Sequence, residues 1–463
     1  MLNRSLLSTA LLAFLVNHGS GAACPACDSL DVDVVVLGGG AAGSYVAAQL
    51  TDVYGKDVLV VDAASRLGGH VDTIVVPGVD HPIEFGLLSY HNLSLVEPFF
   101  NRYNINVVPA PNLAFTSVPL DQKTAEPVNL TVYSPEEQEA AVGRWLEFGL
   151  KYKDYIYPSY NLPTPLGDAA PLARPFIETV KELELESIVL MLGDAHWAND
   201  LLALPTLQAI STFGFPWFDG TPMVVPESGN NTQLYATIQT RLGDKVLLNS
   251  RIKSVIRDQA GAVKLAVTGP QGCTKISAKQ IVIGFPPTED NMKPFDTSKE
   301  EDHLFSKWDC VKLYNGLLTV DGMPNATDFD PVSSDPNRYF VPKRPTARFI
   351  NFASTPYTAT WVVGNPDFEV KDAKEFLEDH LETIRNTGLY DVSPNPTYFG
   401  FSDHSPLVCS VSEHAATSGF WSDIVALQGK KDTWYVGQAF AADLTAYVWA
   451  QAQEIVDHII EKL

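Results

Sequence analysis

The stretch Asp31-Val-Asp-Val-Val-Val-Leu37-Gly38-Gly-Gly40-Ala41-Ala42-Gly43 decides how the rest of the chain is read. Its β-branched run, uncharged after Asp33, predicts a short strand buried on both faces. Three glycines follow at once, and Ser44–Val53 then spaces its apolar residues as a helix does. Lys56–Val61 repeats the pattern of the first run and ends at Asp62. Strand, glycine turn, helix and strand make one βαβ unit. In Gly38-x-Gly40-x-x-Gly43 the first glycine permits the tight turn and the second lets backbone approach a pyrophosphate. The third allows close helix–strand packing, while the helix amino end faces negative charge. Asp62 lies 19 residues past Gly43, where a carboxylate accepts hydrogen bonds from ribose hydroxyls.

The next segment, Asp62-Ala63-Ala-Ser-Arg66-Leu-Gly68-Gly69-His70, separates flavin from nicotinamide. It places a guanidinium and an unobstructed glycine backbone within reach of a pyrophosphate. This acid-x-x-x-Arg-x-Gly-Gly pattern resembles the FAD proteins of the glutathione-reductase type, and in particular the flavin-containing amine oxidase superfamily. Further similar segments run along most of the chain. Glu84-Phe-Gly86-Leu87 resembles the segment beside the isoalloxazine. Val246–Ile256 resembles the second FAD-contact segment, with Ile252 at the adenine position. Ile281-Val-Ile-Gly-Phe-Pro286-Pro287 resembles the strand that returns toward the flavin, and Trp434-Tyr-Val-Gly437-Gln438 the C-terminal strand before the closing helix. Arg66–Asp72 and Gly419-Phe-Trp421 ahead of Leu427-Gln-Gly429 are most similar to the fungal beta-cyclopiazonate dehydrogenase-like group.

The resemblance implies FAD as cofactor, an enzyme of secondary metabolism, and contacts at Gly38, Gly40, Ala41, Ala42, Gly43, Asp62, Ala63, Arg66, Gly68 and Gly69. It extends them to His70, Gly86, Leu87, Ile252, Gly437 and Gln438. Two positions depart from the pattern. His70 replaces the usual arginine, and reads as a neutral donor to phosphate or ribityl chain, as a site of covalent histidyl–flavin attachment, or as a surface or core histidine. Gln438 replaces the usual glutamate and keeps hydrogen bonding without charge. The glycines common in the last helix are absent, so contacts near Asp443–Ala446 are left open. Lys312, on the strand after the double proline, matches the lysine that members hold near flavin N5. It is the candidate catalytic residue, for reoxidation by O2 or proton handling, against a solvated strand lysine like nearby Lys307.

An apolar pocket with a few polar anchors is expected for the substrate. Its candidate wall is Trp217, Tyr314, Phe399, Trp421 and Tyr447, with Trp197, Phe213, Phe215 and Phe218 as further aromatics that would stack on a planar indole-like or amine substrate. His404 and His414 each follow a carboxylate, Asp403 and Glu413, and are candidate acid–base groups. Neighbours on a strand point to opposite faces, which favours satisfied surface histidines instead.

Of the 463 residues, 45% are apolar and 19% charged, enough for a large core and two or three domains. Thirty-two Lys+Arg against 55 Asp+Glu give a net charge of -23. Such a surface repels phosphate backbones and anionic headgroups, so nucleic acid and membrane partners are excluded and a small molecule is expected. Residues 1–23 read as a secretory signal: Arg4, the apolar run Leu6–Val16, then Gly21-Ala22-Ala23. The sequons at Asn92, Asn129, Asn230 and Asn325 agree with a secreted or lumenal glycoprotein. Cys24-Pro-Ala-Cys27 precedes any strand and reads as a local disulfide, and with Cys273, Cys310 and Cys409 the odd count leaves a thiol unpaired or bridged between molecules. No Cys/His cluster has zinc-ligand spacing, so no metal is expected.

The expected architecture is α/β: a Rossmann-like FAD-binding domain (24–110, 222–305 and 396–463) interleaved with a mixed sheet-plus-helix substrate domain (111–221 and 306–395). The expected chemistry is oxidation of a C–N or adjacent C–H bond of an amine, amino acid or indole-alkaloid-like compound. Hydride goes to flavin and the product is hydrolysed or ring-closed. O2 is the expected acceptor because no second, nicotinamide-type GxGxxG occurs. The alternatives are a flavin desaturase or isomerase of a nitrogen-free lipid or polyketide, and a flavin-binding protein without turnover.

Overall fold

The computed structural model describes residues 28–76, 79, 81–112, 114–194, 200–257, 262–352 and 355–463. The signal-like segment, Cys24, Cys27 and Trp197 lie outside the described residues. Two seven-stranded sheets organise them.

The first sheet is built around the strand Asp28–Leu37, whose residues Val34 to Leu37 have no exposed surface. It runs parallel to Val58–Val61 on one side and Gly272–Ile283 on the other. Val246–Leu247 extends the sheet beyond Val58–Val61, and Thr433–Tyr435 joins the end of Gly272–Ile283. The antiparallel pair Arg251–Ile256 and Val263–Gly269 finishes the far edge. A sheet buried on both faces wants continuous apolar strands, which is what these segments supply. The helix Ala41–Asp52 packs against the C-terminal helix Thr445–Lys462. Tyr45 stacks on Trp449 at 5.8 Å, and the Trp449 indole donates to the Ala41 carbonyl at 3.1 Å.

The second sheet has the order Thr397–Asp403, Asp309–Thr319, Thr358–Gly364, Thr346–Asn351, Thr327–Val332, Thr116–Asp121, with Leu407–Ser410 also paired to Asp309–Thr319. Its pairings are antiparallel except the last, between Thr327–Val332 and Thr116–Asp121. The helix Val370–Asn386 covers one face. Ala373, Leu377, Leu381 and Ile384 form its apolar stripe and bury Tyr314, Leu318, Phe349 and Val362. Cys310 and Cys409 are disulfide-bonded across two strands of this sheet, and Cys273 is disulfide-bonded as well.

Two expectations are corrected. The apolar spacing of Pro171–Leu192 reads as one helix in the sequence, and the structure has three: Ala170–Ala173, Phe176–Glu182 and Val189–Asp194. Pro175 forces Arg174 out of the helical region, and Glu184 has a positive φ of 51°, so the chain turns twice within that span. The boundary at residue 396 also moves. Thr397–Asp403 and Leu407–Ser410 hydrogen-bond to Asp309–Thr319, so they belong to the second sheet rather than the nucleotide half. No helix among the described residues is long and apolar enough to cross a membrane.

Candidate functional site

The glycine turns place bare backbone at the carboxyl ends of the parallel strands. A Cβ on Gly43 would collide with the Gly38 carbonyl oxygen, so only glycine lets the first helix start this close to the strand. A Cβ on Gly69 would come within 2.9 Å of the Gly40 Cα, because the two loops abut. The Gly68 amide donates to the Gly39 carbonyl at 2.8 Å and fixes that contact. Asp62 receives the Gly39 amide at 2.5 Å and the Ala64 amide at 2.7 Å. Asn249 and Ser250 donate to the Ala64 and Asp62 carbonyls, which draws the segment leading to Ile252 alongside Asp62. No side chain caps the first helix, and its early amides Ala41 and Ala42 have no acceptor within the helix. The arrangement is an anion cradle of backbone amides.

Beyond the cradle, Glu84–Leu87 runs beside His70–Asp72: Phe85 N donates to Asp72 O at 3.0 Å and Leu87 N to His70 O at 3.1 Å. His70 is enclosed by protein yet keeps much accessible surface, so it borders an internal space. Burial, with His404 adding to it, pushes its pKa down to about 3. Gln438 Oε1 is buried with no hydrogen-bond partner. A carbonyl oxygen in that state awaits a donor such as a ribityl hydroxyl. Asp443 borders the interior in the same way, without an ion pair or hydrogen bond among the described residues, and burial raises its pKa to about 6. Glu84 accepts from Thr73 Oγ1 at 2.6 Å and Asn231 N at 2.8 Å, and burial raises it to about 7.

These features fit FAD. The two glycine loops leave room for a pyrophosphate that any Cβ would fill, Asp62 stands at the end of the second strand where a ribose would lie, and the buried Gln438 oxygen is left without a donor. Arg66 is engaged differently from expectation. Its guanidinium pairs with Asp72 and donates to the carbonyls of Leu67 at 3.0 Å and Gly69 at 3.4 Å, so it braces the loop it belongs to.

The aromatic expectations divide. Trp217 and Tyr447 meet through His91, at 4.8 and 6.0 Å between ring centroids, and Tyr157 lies 4.8 Å from Tyr447. Tyr314 does not join them. It is wholly buried under the helix Val370–Asn386, with its hydroxyl on the Phe368 carbonyl at 2.6 Å. Strand alternation puts Lys312 on the Tyr314 face, while Asn315 on the other face donates to the Phe85 carbonyl at 3.0 Å. Lys312 thus stands on the face opposite the Asn315–Phe85 contact, half-buried, with its charge felt by Asp290 just past the double proline. Trp421 is core, packed on Tyr160 at 5.1 Å and Trp308 at 5.8 Å, and Phe399 meets Tyr357 edge to face at 4.8 Å on a half-open edge. His404 is not a surface histidine. It is buried, and its Nε2 meets Asp72 at 2.7 Å rather than the adjacent Asp403. The partners are 332 residues apart, so no local signal points to the pair.

This cradle, on a parallel sheet interleaved with a second sheet, is that of a Rossmann-like FAD-binding protein. Residues 36–103 match the family model of the NAD(P)-binding Rossmann-like domain. The FAD-dependent oxidoreductase oblC of Cochliobolus heterostrophus is 29% identical, over 91% of this chain and 89% of that protein. Beta-cyclopiazonate dehydrogenase of Aspergillus oryzae is 28% identical, over 93% of this chain and 94% of its own. Among solved structures, a fatty acid isomerase from P. acnes superposes with TM-score 0.70 at 16% identity, covering 93% of this chain and 98% of that one. A putrescine oxidase variant does so with TM-score 0.65 at 14% identity, covering 94% and 100%. The chain is thus a homologue of FAD-dependent oxidoreductases, beta-cyclopiazonate dehydrogenase among them, with the fold of the amine oxidases.

Proposed function

We propose that this FAD-dependent oxidoreductase oxidises a C–N bond, or the C–H bond beside it, in a ring-bearing amine, amino acid or indole-alkaloid-like molecule. FAD supplies the hydride acceptor when bound, and the protein supplies orientation and shielding. The observation that carries the nitrogen-containing substrate is Asp443. It is an interior carboxyl without a partner among the described residues, felt by Tyr160, four residues before Tyr447 of the Tyr447–Tyr157–His91 aromatic wall. A carboxyl left unpaired there suits an N–H or ammonium donor, while the rings suit a flat apolar body. O2 is the proposed acceptor, with iminium or unsaturated products that hydrolyse or close a ring, and secondary metabolism is the proposed setting.

Mixing the purified holoprotein anaerobically with candidate amines and indoles, and with a nitrogen-free fatty acid, tests this. Bleaching of the flavin by a nitrogen compound, then peroxide on admitting air, is expected. Bleaching or isomerisation of the fatty acid alone would replace this reading with the lipid one. A spectrum that only shifts with every compound would make the protein a binder.

A secretory origin is part of the proposal. The Cys310–Cys409 bridge suits an oxidising compartment. Asn129 and Asn325 are exposed, whereas Asn230 is tied by its own Oδ1 to Thr232 Oγ1 at 2.6 Å. Deglycosylation of protein secreted by a eukaryotic host, followed by peptide mapping, is expected to find sugar at Asn129 and Asn325. Sugar-free secreted protein would end the glycoprotein reading.

A further inference from the structure

His70, Asp72 and His404 form a unit that the flavin motifs do not account for. His404 comes from the second sheet, at the end of Thr397–Asp403. Its amide donates to Leu313 O at 2.8 Å, and Ser405 ties the same turn to Leu313 N at 3.1 Å, so its position is fixed by backbone. Its Nε2 lies 2.7 Å from Asp72 Oδ2, and the other Asp72 oxygen receives Arg66. Burial works to raise the Asp72 carboxyl, but bonding from His404 and Ser402 and the charges of His404 and Arg66 hold it below its ordinary value. An anion there fixes the proton of His404 on Nε2.

The His404 ring then backs the His70 ring, with centroids 4.5 Å apart and planes within 19°. The His70 ring makes no hydrogen bond among the described residues, and the titratable groups facing it are His404, Asp72 and Arg66. Its plane is therefore set by His404, and its nitrogens are left to the internal space. His380 shows the contrast: that buried histidine stacks between Phe349 and Phe376 and is closed off.

We propose that Asp72 and His404 are positioning residues that hold His70 as a neutral, ligand-facing imidazole against the flavin cofactor. The inference rests on the FAD reading of the cavity. It makes the second sheet a working part of the cofactor site, because one of its residues sets the plane of a ring in the nucleotide half.

The test uses the full chain in four forms: wild type, H70A, H404A and the double variant, with D72N as a fifth. On the scale found for carboxylate–histidine supports of metal ligands, H404A and D72N should each weaken FAD about tenfold. Each should also shift the visible flavin band as H70A does. The double variant should bind no more weakly than H70A, since a positioning residue has nothing to position once its target is gone. Additive losses, or H404A with wild-type affinity and spectrum, would overturn the proposal. H404F keeps a flat ring without the bond to Asp72 and guards against a folding failure of H404A. It should retain more affinity than H404A, and the reverse order would also count against the unit. Imidazole NMR of the apoprotein separates this from the FAD reading: His70 should stay neutral from pH 8 to 5 in wild type and begin to titrate in that range in H404A. Wild-type protein that takes up no FAD defeats the cofactor reading, while the His70 titration still decides whether the unit exists.

Discussion

The nucleotide sheet and the second sheet differ in what holds them to tolerance. In the first, backbone meets backbone. Gly43 and Gly69 stand where any side chain would strike main chain, at Gly38 within the same turn for the one and at Gly40 across the facing loop for the other. In the second, side chains meet side chains: a Cβ on Gly316 would lie 2.8 Å from the Phe401 ring and 2.9 Å from the Thr360 methyl. Main chain in a paired sheet has nowhere to go, whereas a ring or methyl at the end of a side chain can rotate. The lesson is that the cofactor half is specified by absences and the other half by packing.

Gly43→Ala is expected to break that comparison hardest, giving aggregated or flavin-free protein, as read by soluble yield and the visible spectrum. Next is Arg257→Ala at the edge of the first sheet. Arg257 has no exposed side-chain surface and meets Asp296 at 2.9 Å and Glu301 at 2.8 Å. Removing one partner of a buried pair costs about 3–5 kcal/mol, which a urea midpoint would show. Normal stability in either variant would say that the first half tolerates change as the second does.

The two halves should also respond to pH with opposite sign. In the second, burial lowers His380 from 6.5 to about 4. Its contribution is complete above pH 6.5 and is lost as pH falls toward 4, so H380L should flatten the acid limb of Tm against pH. Beside the cofactor cradle, burial raises Glu84 from 4.5 to about 7. Its contribution is complete below pH 4.5 and is lost as pH rises through 7, so E84Q should lose less stability than wild type between pH 5 and 8. Parallel slopes in the variants and wild type would remove both assignments. Gly316→Ala should cost only about 1–3 kcal/mol, the ordinary scale of overpacking. The smallest effect is expected of Lys312→Met: unchanged flavin reoxidation in stopped flow. A tenfold slowing would bring that lysine back to the site.

What was legible in the sequence follows the same division. Valine runs and spaced glycines announce the cradle because each position is restricted by main-chain geometry, and main-chain geometry is local. The pairing of Asp72 with His404 is not local, and no periodicity encodes it. The burial of Tyr314 and the face taken by Lys312 were illegible for a related reason. A strand can be read from Val311–Val320, but which of its faces meets the helix Val370–Asn386 depends on a segment more than fifty residues away. Pro175 did signal a break in the chain, yet the apolar spacing around it suggested one long helix.

The contact between the first and last helices bears on how the protein is made. Ala41 and Tyr45 are bonded to Trp449 and Gln453, so the fold that begins at the first strand is closed by residues 408 positions further along the chain. About four hundred residues must therefore be synthesised after the first helix before the amino-terminal nucleotide fold gains its last wall. A chain cut before Trp449 would leave that fold unfinished, with the apolar faces of Tyr45 and Tyr90 open to water.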